Sequence, residues 1–236
     1  MSADPITRRA VILQHHPEVT LGNLEPVLRG HGYDIRIVDA TRDDVSAIDP
    51  AEADLLIVLG GHQGAYETEL HPHIAKELTL IRARIDAELP IFGVCLGAQL
   101  MAASLGERVY KGERPDISYR SIEPTEAGLA SAIRHVVGVP MLEWHGDTFD
   151  LPNRVTRLAG SAAYSNEVFA IGNYALAVQF HPEVTDEMHQ QWTDDTRRLL
   201  DDEGIDLDDW HRLRERHNPA MQEASRAMFG EWLEGL

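Results

Sequence analysis

The sequence of 236 residues contains a single cysteine, Cys95. One cysteine excludes an internal disulfide framework, and a lone thiol suits a reducing compartment, which makes the cytoplasm the expected location. Basic residues are also scarce: 21 Lys and Arg stand against 39 Asp and Glu, a formal charge of −18. Such a surface repels phosphate backbones and anionic lipid, so neither nucleic acid nor a membrane is an expected partner. No apolar run approaches the ~18 residues of a membrane-spanning helix. The opening MSADPITRRAVILQHHPE lacks the shape of a signal peptide, because its apolar run, AVIL, is short and ends in polar residues. Internal repeats and low-complexity tracts are missing too. What remains is the composition of an ordinary globular protein, 43% hydrophobic and 25% charged, long enough to bury a core without covalent staples.

Along the chain, short apolar strands alternate with helical patterns. RRAVILQ (8–14), YDIRIVDA (33–40), ADLLIVLGG (53–61) and PIFGV (90–94) read as strands. TLGNLEPVLRGHG (20–32), HIAKELTLIRARIDAEL (73–89) and residues 96–104 read as helices. Continuously apolar strands imply cover on both faces, hence a mostly parallel sheet between two helical layers. The middle of the chain is richer in turn residues. Segments 107–128, 139–152 and 155–161 predict short antiparallel strands and hairpins appended to the sheet, before YALAVQF (174–180) returns as a buried strand. Beyond Thr185 the pattern is helical to the C-terminus, with Pro219 expected to divide or kink it.

Cys95 sits where PIFGV meets the helix beginning at Leu96, with Gly93 and Gly97 beside it. A strand entering a helix directly forces a tight turn. It projects its corner residue from the carboxyl end of the sheet, where open α/β folds place their sites. The helix N-terminus behind the thiol favours the thiolate, the nucleophilic form. A cysteine nucleophile needs a base, and the sequence offers 12 histidines. His181 in AVQFHPEVT follows a buried strand, and Glu183 two residues on projects to the same side in extended geometry, suited to orienting the imidazole. The oxyanion formed by thiol attack needs donors. The backbone N–H of Leu96 and the loop LGGHQG (59–64), whose Gly60, Gly61 and Gly64 let N–H groups turn inward, are the candidates. His15, His16, His62, His71 and His73 belong to no catalytic pattern, and the pair His71/His73 has no further ligands that would make it a metal site.

These stretches together resemble a family. GVCLGAQ (93–99) resembles the G-x-C-x-G-x-Q nucleophile motif of class I glutamine amidotransferases, QFHPE (179–183) their His/Glu motif, and LGG with a following glycine their oxyanion loop. The resemblance spans residues 8–185. It implies a flavodoxin-like three-layer α/β/α sandwich in an amidotransferase-like domain (1–200), with a C-terminal helical extension (201–236) packed on the same domain. It further implies hydrolysis of the glutamine side-chain amide through a glutamyl thioester, with ammonia released to a partner synthase. Carried over, Cys95 is the nucleophile, His181 the general acid/base and Glu183 its orienting partner. Gly61 and Leu96 supply oxyanion donors, and Gln99 and Gly60 contact the substrate. No metal or organic cofactor is implied.

Within the family the chain looks most similar to the GMP-synthase-like branch. Where members read E-I-G-W in a region that touches the bound amino acid, this sequence has Asp116-Ile117-Ser118-Tyr119, so Ser118 and Tyr119 are taken as substrate-side residues. His145 and Asp147 match an H-x-D motif that serves either the substrate or structural hydrogen bonding. A γ-glutamyl peptidase acting on γ-glutamyl peptides or glutathione conjugates uses the same triad and is the alternative enzyme. A non-enzymatic binding protein and a cysteine hydrolase of another α/β family are the remaining alternatives. The C-terminal helices are open to three uses: capping the core, forming a homodimer or docking a partner.

Overall fold

The computed structural model describes residues 8–236; the start of the signal-peptide reading, residues 1–7, lies outside the described residues. Strands β1 (Arg8–Gln14), β2 (Tyr33–Asp39), β3 (Leu55–Val58) and β4 (Ile91–Val94) alternate with helices α1 (Glu25–Gly30), α2 (Pro72–Asp86) and α3 (Leu96–Ser104). A mixed region follows: β5 (Val109–Arg120), β6 (Glu123–Pro124), α4 (Glu126–Leu129), β7 (Met141–Phe149), β8 (Thr156–Gly160), β9 (Val168–Ile171) and β10 (Ala175–Val178). Helices α5 (Asp186–Asp195), α6 (Arg197–Asp202) and α7 (Leu207–Glu234) complete the chain. The main sheet runs β2-β1-β3-β4-β10-β9-β8-β6. Its first five strands are parallel and the remainder pair antiparallel. Among the described residues no helix is long and apolar enough to cross a membrane.

Alternation along the parallel strands divides the core in two. Ala10, Ile12, Leu55, Ile57, Phe92, Val94, Leu176 and Val178 face one layer; Val11, Leu13, Leu56, Val58, Ile91, Ala175 and Ala177 face the other. Helices α2 and α3 cover the second face through Ile74, Ile81, Ile85 and Met101. The first is covered by α1 and by the C-terminal helices: Met221, Met228, Phe229 and Trp232 of α7 join the same cluster, with the Phe229 ring 5.0 Å from Phe92. The C-terminal segment thus supplies part of a core layer.

Two expectations need correction, and one strand lies outside them. Of segments 107–128 and 139–152 only β6 extends the main sheet; β5 and β7 form a separate two-stranded antiparallel ribbon, bulged between Lys111 and Asp116. Strand β9 was not foreseen: its four residues lie between turn residues and too few of them alternate to signal a strand. Pro219 does not divide the last helix, which is continuous over 28 residues. A proline inside a helix costs about 3 kcal/mol, and the flanking side chains offset it. Met221 is fully buried, and Asn218 donates to Asp186 at 2.7 Å while accepting from the Tyr119 hydroxyl at 2.5 Å.

The packing of α5 against α7 carries an acid-sensitive element. His189 is fully buried beside Trp144, Tyr119 and Trp210, its Nε2 without a hydrogen-bond partner among the described residues. Burial, with Arg214 and His211 nearby, pushes its pKa down to about 3. An unfolded histidine titrates near ~6.5, so below that pH the unfolded chain binds a proton that the folded one refuses. Stability present above pH ~6.5 is therefore lost as the pH falls toward 3, by about 2 kcal/mol at pH 5 for this group. Urea denaturation of His189→Gln should show that much less destabilisation than the parent between pH 7 and pH 5. Equal acid sensitivity in both proteins would refute the assignment.

Candidate active site

Three loops meet because three adjacent parallel strands end at one level. Val58 of β3 pairs with Gly93 of β4, and Val94 of β4 with Val178 of β10. Gly60 and Gly61 therefore follow one strand end, Cys95 the next and His181 the third. This is the carboxyl edge at which open α/β sheets bind ligands. The Cys95 N–H donates to Val178 O at 2.9 Å and the His181 N–H to Leu142 O at 2.9 Å, tying the corners to their neighbours.

Cys95 adopts φ 52° and ψ −108°. A side-chain-bearing residue at positive φ is strained by about 1–3 kcal/mol, and here the strain turns the chain abruptly from β4 into α3. Gly97 permits the turn, since a Cβ there would lie 2.0 Å from Val58 O. A Cβ on Gly93 would meet Met101 Sδ at 2.6 Å and the Gly97 carbonyl carbon at 2.8 Å. Leu96 is the first residue of α3, so its N–H has no acceptor within the helix.

The His181 ring faces Cys95 on one side and Glu183 on the other, with Nδ1 2.7 Å from Glu183 Oε1. Burial pushes the imidazole down, but Glu183 and the Cys95 sulfur push it further up, and the balance stands well above the ordinary imidazole range. The Trp192 ring stands edge-on to His181 at 4.9 Å and limits its rotation. Gly60 lies beneath both partners: a Cβ there would be 3.3 Å from His181 Cε1 and 3.6 Å from Cys95 Cβ.

Cys95 and His181 open onto a cleft of about 770 Å³, whose walls include Gly61, Gln99, Ile117, Trp144, His145, Asp147 and Trp192. Gln99 is buried and donates to Gln179 Oε1 at 3.2 Å and Asp147 O at 3.4 Å. The structure thus brings Cys95, His181, Glu183, Gly60, Gly61, Leu96 and Gln99 to one place. It does not bring Ser118 and Tyr119 there. Ser118 donates to Asp116 at 2.6 Å, and Tyr119 reaches away to Asn218 on α7. Ile117, just before them, lines the cleft instead. The His71 and His73 rings lie 5.7 Å apart, tilted to each other, and among the described residues they belong to no group of three metal-ligand side chains.

Two features lay beyond sequence reasoning. His15, at the end of β1, is buried with Nε2 2.8 Å from Glu77 Oε2 and Nδ1 3.2 Å from Gly60 O. This pair braces the glycine loop from below. Trp192 reads in sequence only as an apolar position of an amphipathic helix. In both cases the signal is a contact between distant segments, which local periodicity does not carry.

A thiol at a strained elbow, an imidazole backed by a carboxylate and free N–H groups around them suit attack on a carbonyl. The profile of the class I glutamine amidotransferases matches residues 22–196, and the chain belongs to that family. It is 33% identical over 141 residues to the glutamine amidotransferase-like protein YfeJ of Salmonella typhimurium, covering 58% of this chain and 59% of that protein. It is 25% identical over 182 residues to the glutamine-hydrolysing GMP synthase of Neisseria gonorrhoeae, covering 75% of this chain but 33% of the synthase. With γ-glutamyl peptidase 5 of Arabidopsis thaliana it shares 24% identity over 205 residues, 78% of this chain and 80% of the peptidase. The matched region thus spans little more than half of YfeJ and a third of the synthase. The crystal structure of a glutamine amidotransferase from Thermotoga maritima superposes with a TM-score of 0.87 at 30% identity, over 97% of this chain and 99% of that one.

Proposed function

We propose that the protein hydrolyses the side-chain amide of glutamine through a thioester on Cys95, releasing ammonia for a partner synthase. The observation that carries this reading is the His181–Glu183 contact of 2.7 Å beside a cysteine held at positive φ. In the proposed sequence the Cys95 thiol gives its proton to His181 as the sulfur attacks the γ-carbonyl carbon. The N–H groups of Gly61 and Leu96 receive the oxyanion. His181 gives its proton to the leaving nitrogen, the C–N bond breaks and ammonia departs, leaving the γ-glutamyl thioester. Water then gives a proton to His181 and attacks the same carbon; the C–S bond breaks, returning Cys95 and releasing glutamate. Glu183 holds the imidazole in orientation and balances its charge throughout, and Gln99 helps to hold the amino-acid end of the substrate.

A second reading, hydrolysis of γ-glutamyl peptides, uses the same steps with a larger leaving amine. The observation in its favour is the size of the cleft: beyond Cys95 it continues past Ile117, Trp144, Trp192 and Leu199, room that ammonia does not need. The test compares kcat/KM for glutamine, γ-glutamyl dipeptides and a glutathione conjugate on the isolated protein, with Cys95→Ala as the blank. Cys95-dependent turnover with glutamine preferred is the expected result. A preference for the peptides of tenfold or more transfers the assignment to the second reading. No Cys95-dependent turnover on any of the three overturns both.

A further inference from the structure

At and behind the cleft wall lies a group of side chains that the proposed chemistry does not use. Glu143 and His145 alternate along β7 and so project to the same side of the strand. Glu167, immediately before β9, meets them from the main sheet. One ligand atom from each of the three lies within 4.8 Å of the others, and His145 Nε2 is 3.4 Å from Glu143 Oε2. Glu143 and Glu167 are fully buried and His145 is 5% exposed. Both Glu143 carboxylate oxygens, Glu167 Oε2 and His145 Nε2 have no hydrogen-bond partner among the described residues.

Two buried carboxylates need compensating positive charge, and beyond the 3.4 Å contact of His145 with Glu143 the other neighbours are engaged elsewhere or leave an oxygen free. Arg120 is engaged by Asp116, with Nε 2.7 Å from Oδ2 and Nη2 3.1 Å from Oδ1. Ser161 donates to Glu167 Oε1 at 2.6 Å, leaving Oε2 free. The Tyr164 ring packs 5.1 Å from His145, but its hydroxyl donates to Arg114 O. His145 Nδ1 lies 2.9 Å from Asp147 O, so the ring donates there and turns Nε2 toward the glutamates. Metal-bound histidines use the same arrangement, one nitrogen anchored on a carbonyl and the other on the ion.

We propose that Glu143, His145 and Glu167 form a binding site for a first-row divalent cation, clamping the β5–β7 ribbon to the main sheet behind the cleft. Two oxygens and one imidazole nitrogen suit Zn²⁺ and, more weakly, Mn²⁺. A pair of donors 3.4 Å apart matches the edge between two ligands each about 2.1 Å from a metal. The cation would neutralise the two carboxylates and occupy the unpartnered atoms together.

Zn²⁺ titration of the full chain in the Cys95→Ala background tests this, because that substitution keeps the catalytic thiol from competing for the metal. The expected result is one tightly bound Zn²⁺ per chain and a rise in Tm on loading. Glu143→Gln and Glu167→Gln should each weaken binding at least a hundredfold and abolish that rise. Both replacements keep side-chain size and remove buried charge, so neither apo variant should melt below its parent. Cobalt(II) absorption supplies an independent readout: ligand-field bands should form in the Cys95→Ala parent and be absent in Glu167→Gln. Failure of the parent to bind at sub-millimolar Zn²⁺, or unchanged affinity in both glutamine variants, overturns the proposal. Failure of the hydrolysis assay alone would leave it standing.

Discussion

Cys95→Ala should lower kcat by about four orders of magnitude or more, as expected when the nucleophile of a cooperating set is removed, while the protein keeps its fold. The two halves of this result test different claims. Loss of turnover tests the covalent role, since no other thiol exists in the chain. Retention of the fold tests the reading of the elbow. At φ 52° alanine keeps the backbone strain that cysteine carries, whereas glycine relieves it. Cys95→Gly should therefore be as inactive as Cys95→Ala yet more stable by about 1 kcal/mol. Comparing the two variants cancels the loss of the sulfur, which both share. Near-normal hydrolysis by either would remove Cys95 from the mechanism. Equal urea midpoints would mean that the corner stores no strain, and the strand–helix turn would need another explanation.

The elbow was legible in sequence because its parts are contiguous: an apolar run, a glycine, the thiol, a second glycine and a helical pattern within a dozen residues. The His181–Glu183 pair was legible for the same reason, as two residues of one extended segment. Facing was harder to read. Ser118 and Tyr119 were placed on the substrate side by analogy with a motif, but alternation along β5 turns Ser118 to the face opposite Ile117, and Tyr119, on the Ile117 face, is held by Asn218, which leaves Ile117 lining the cleft. The Glu77–His15 brace joins α2 to the end of β1, and the Glu143–His145–Glu167 group joins a separate ribbon to a strand that sequence did not reveal. Each depends on which strands are neighbours. Periodicity states which face of an element is apolar, but not which element will cover it. Pro219 shows the same limit in reverse: a local breaker is overridden by burial of Met221 and the hydrogen bonds of Asn218.

Gly97→Ala should destabilise the protein by more than 3 kcal/mol, beyond the usual range for a single added methyl group. The added Cβ would sit 2.0 Å from Val58 O and 2.8 Å from Val58 C. Both are backbone atoms inside the parallel sheet, where β3 pairs with β1 and β4, so neither can rotate away. Relief requires α3 to move away from β3 by more than an ångström, to about the 3.4–4 Å of ordinary contact. Leu96 opens α3 and Cys95 precedes it, so that movement displaces the nucleophile and a proposed oxyanion donor together. Misplacement of this size costs about a hundredfold in rate, and kcat should fall accordingly in whatever fraction remains folded. Gly30→Ala is the contrasting case. Gly30 ends α1 with nothing within 4 Å of an added Cβ and no positive φ, so alanine there should be neutral or slightly stabilising. Urea denaturation of both variants, with kcat measured on the folded fraction, separates close approach from glycine's general flexibility. If Gly97→Ala stayed within 0.5 kcal/mol of the parent (roughly the spread of neutral surface substitutions), the α3–β3 contact could not be what holds the elbow in place.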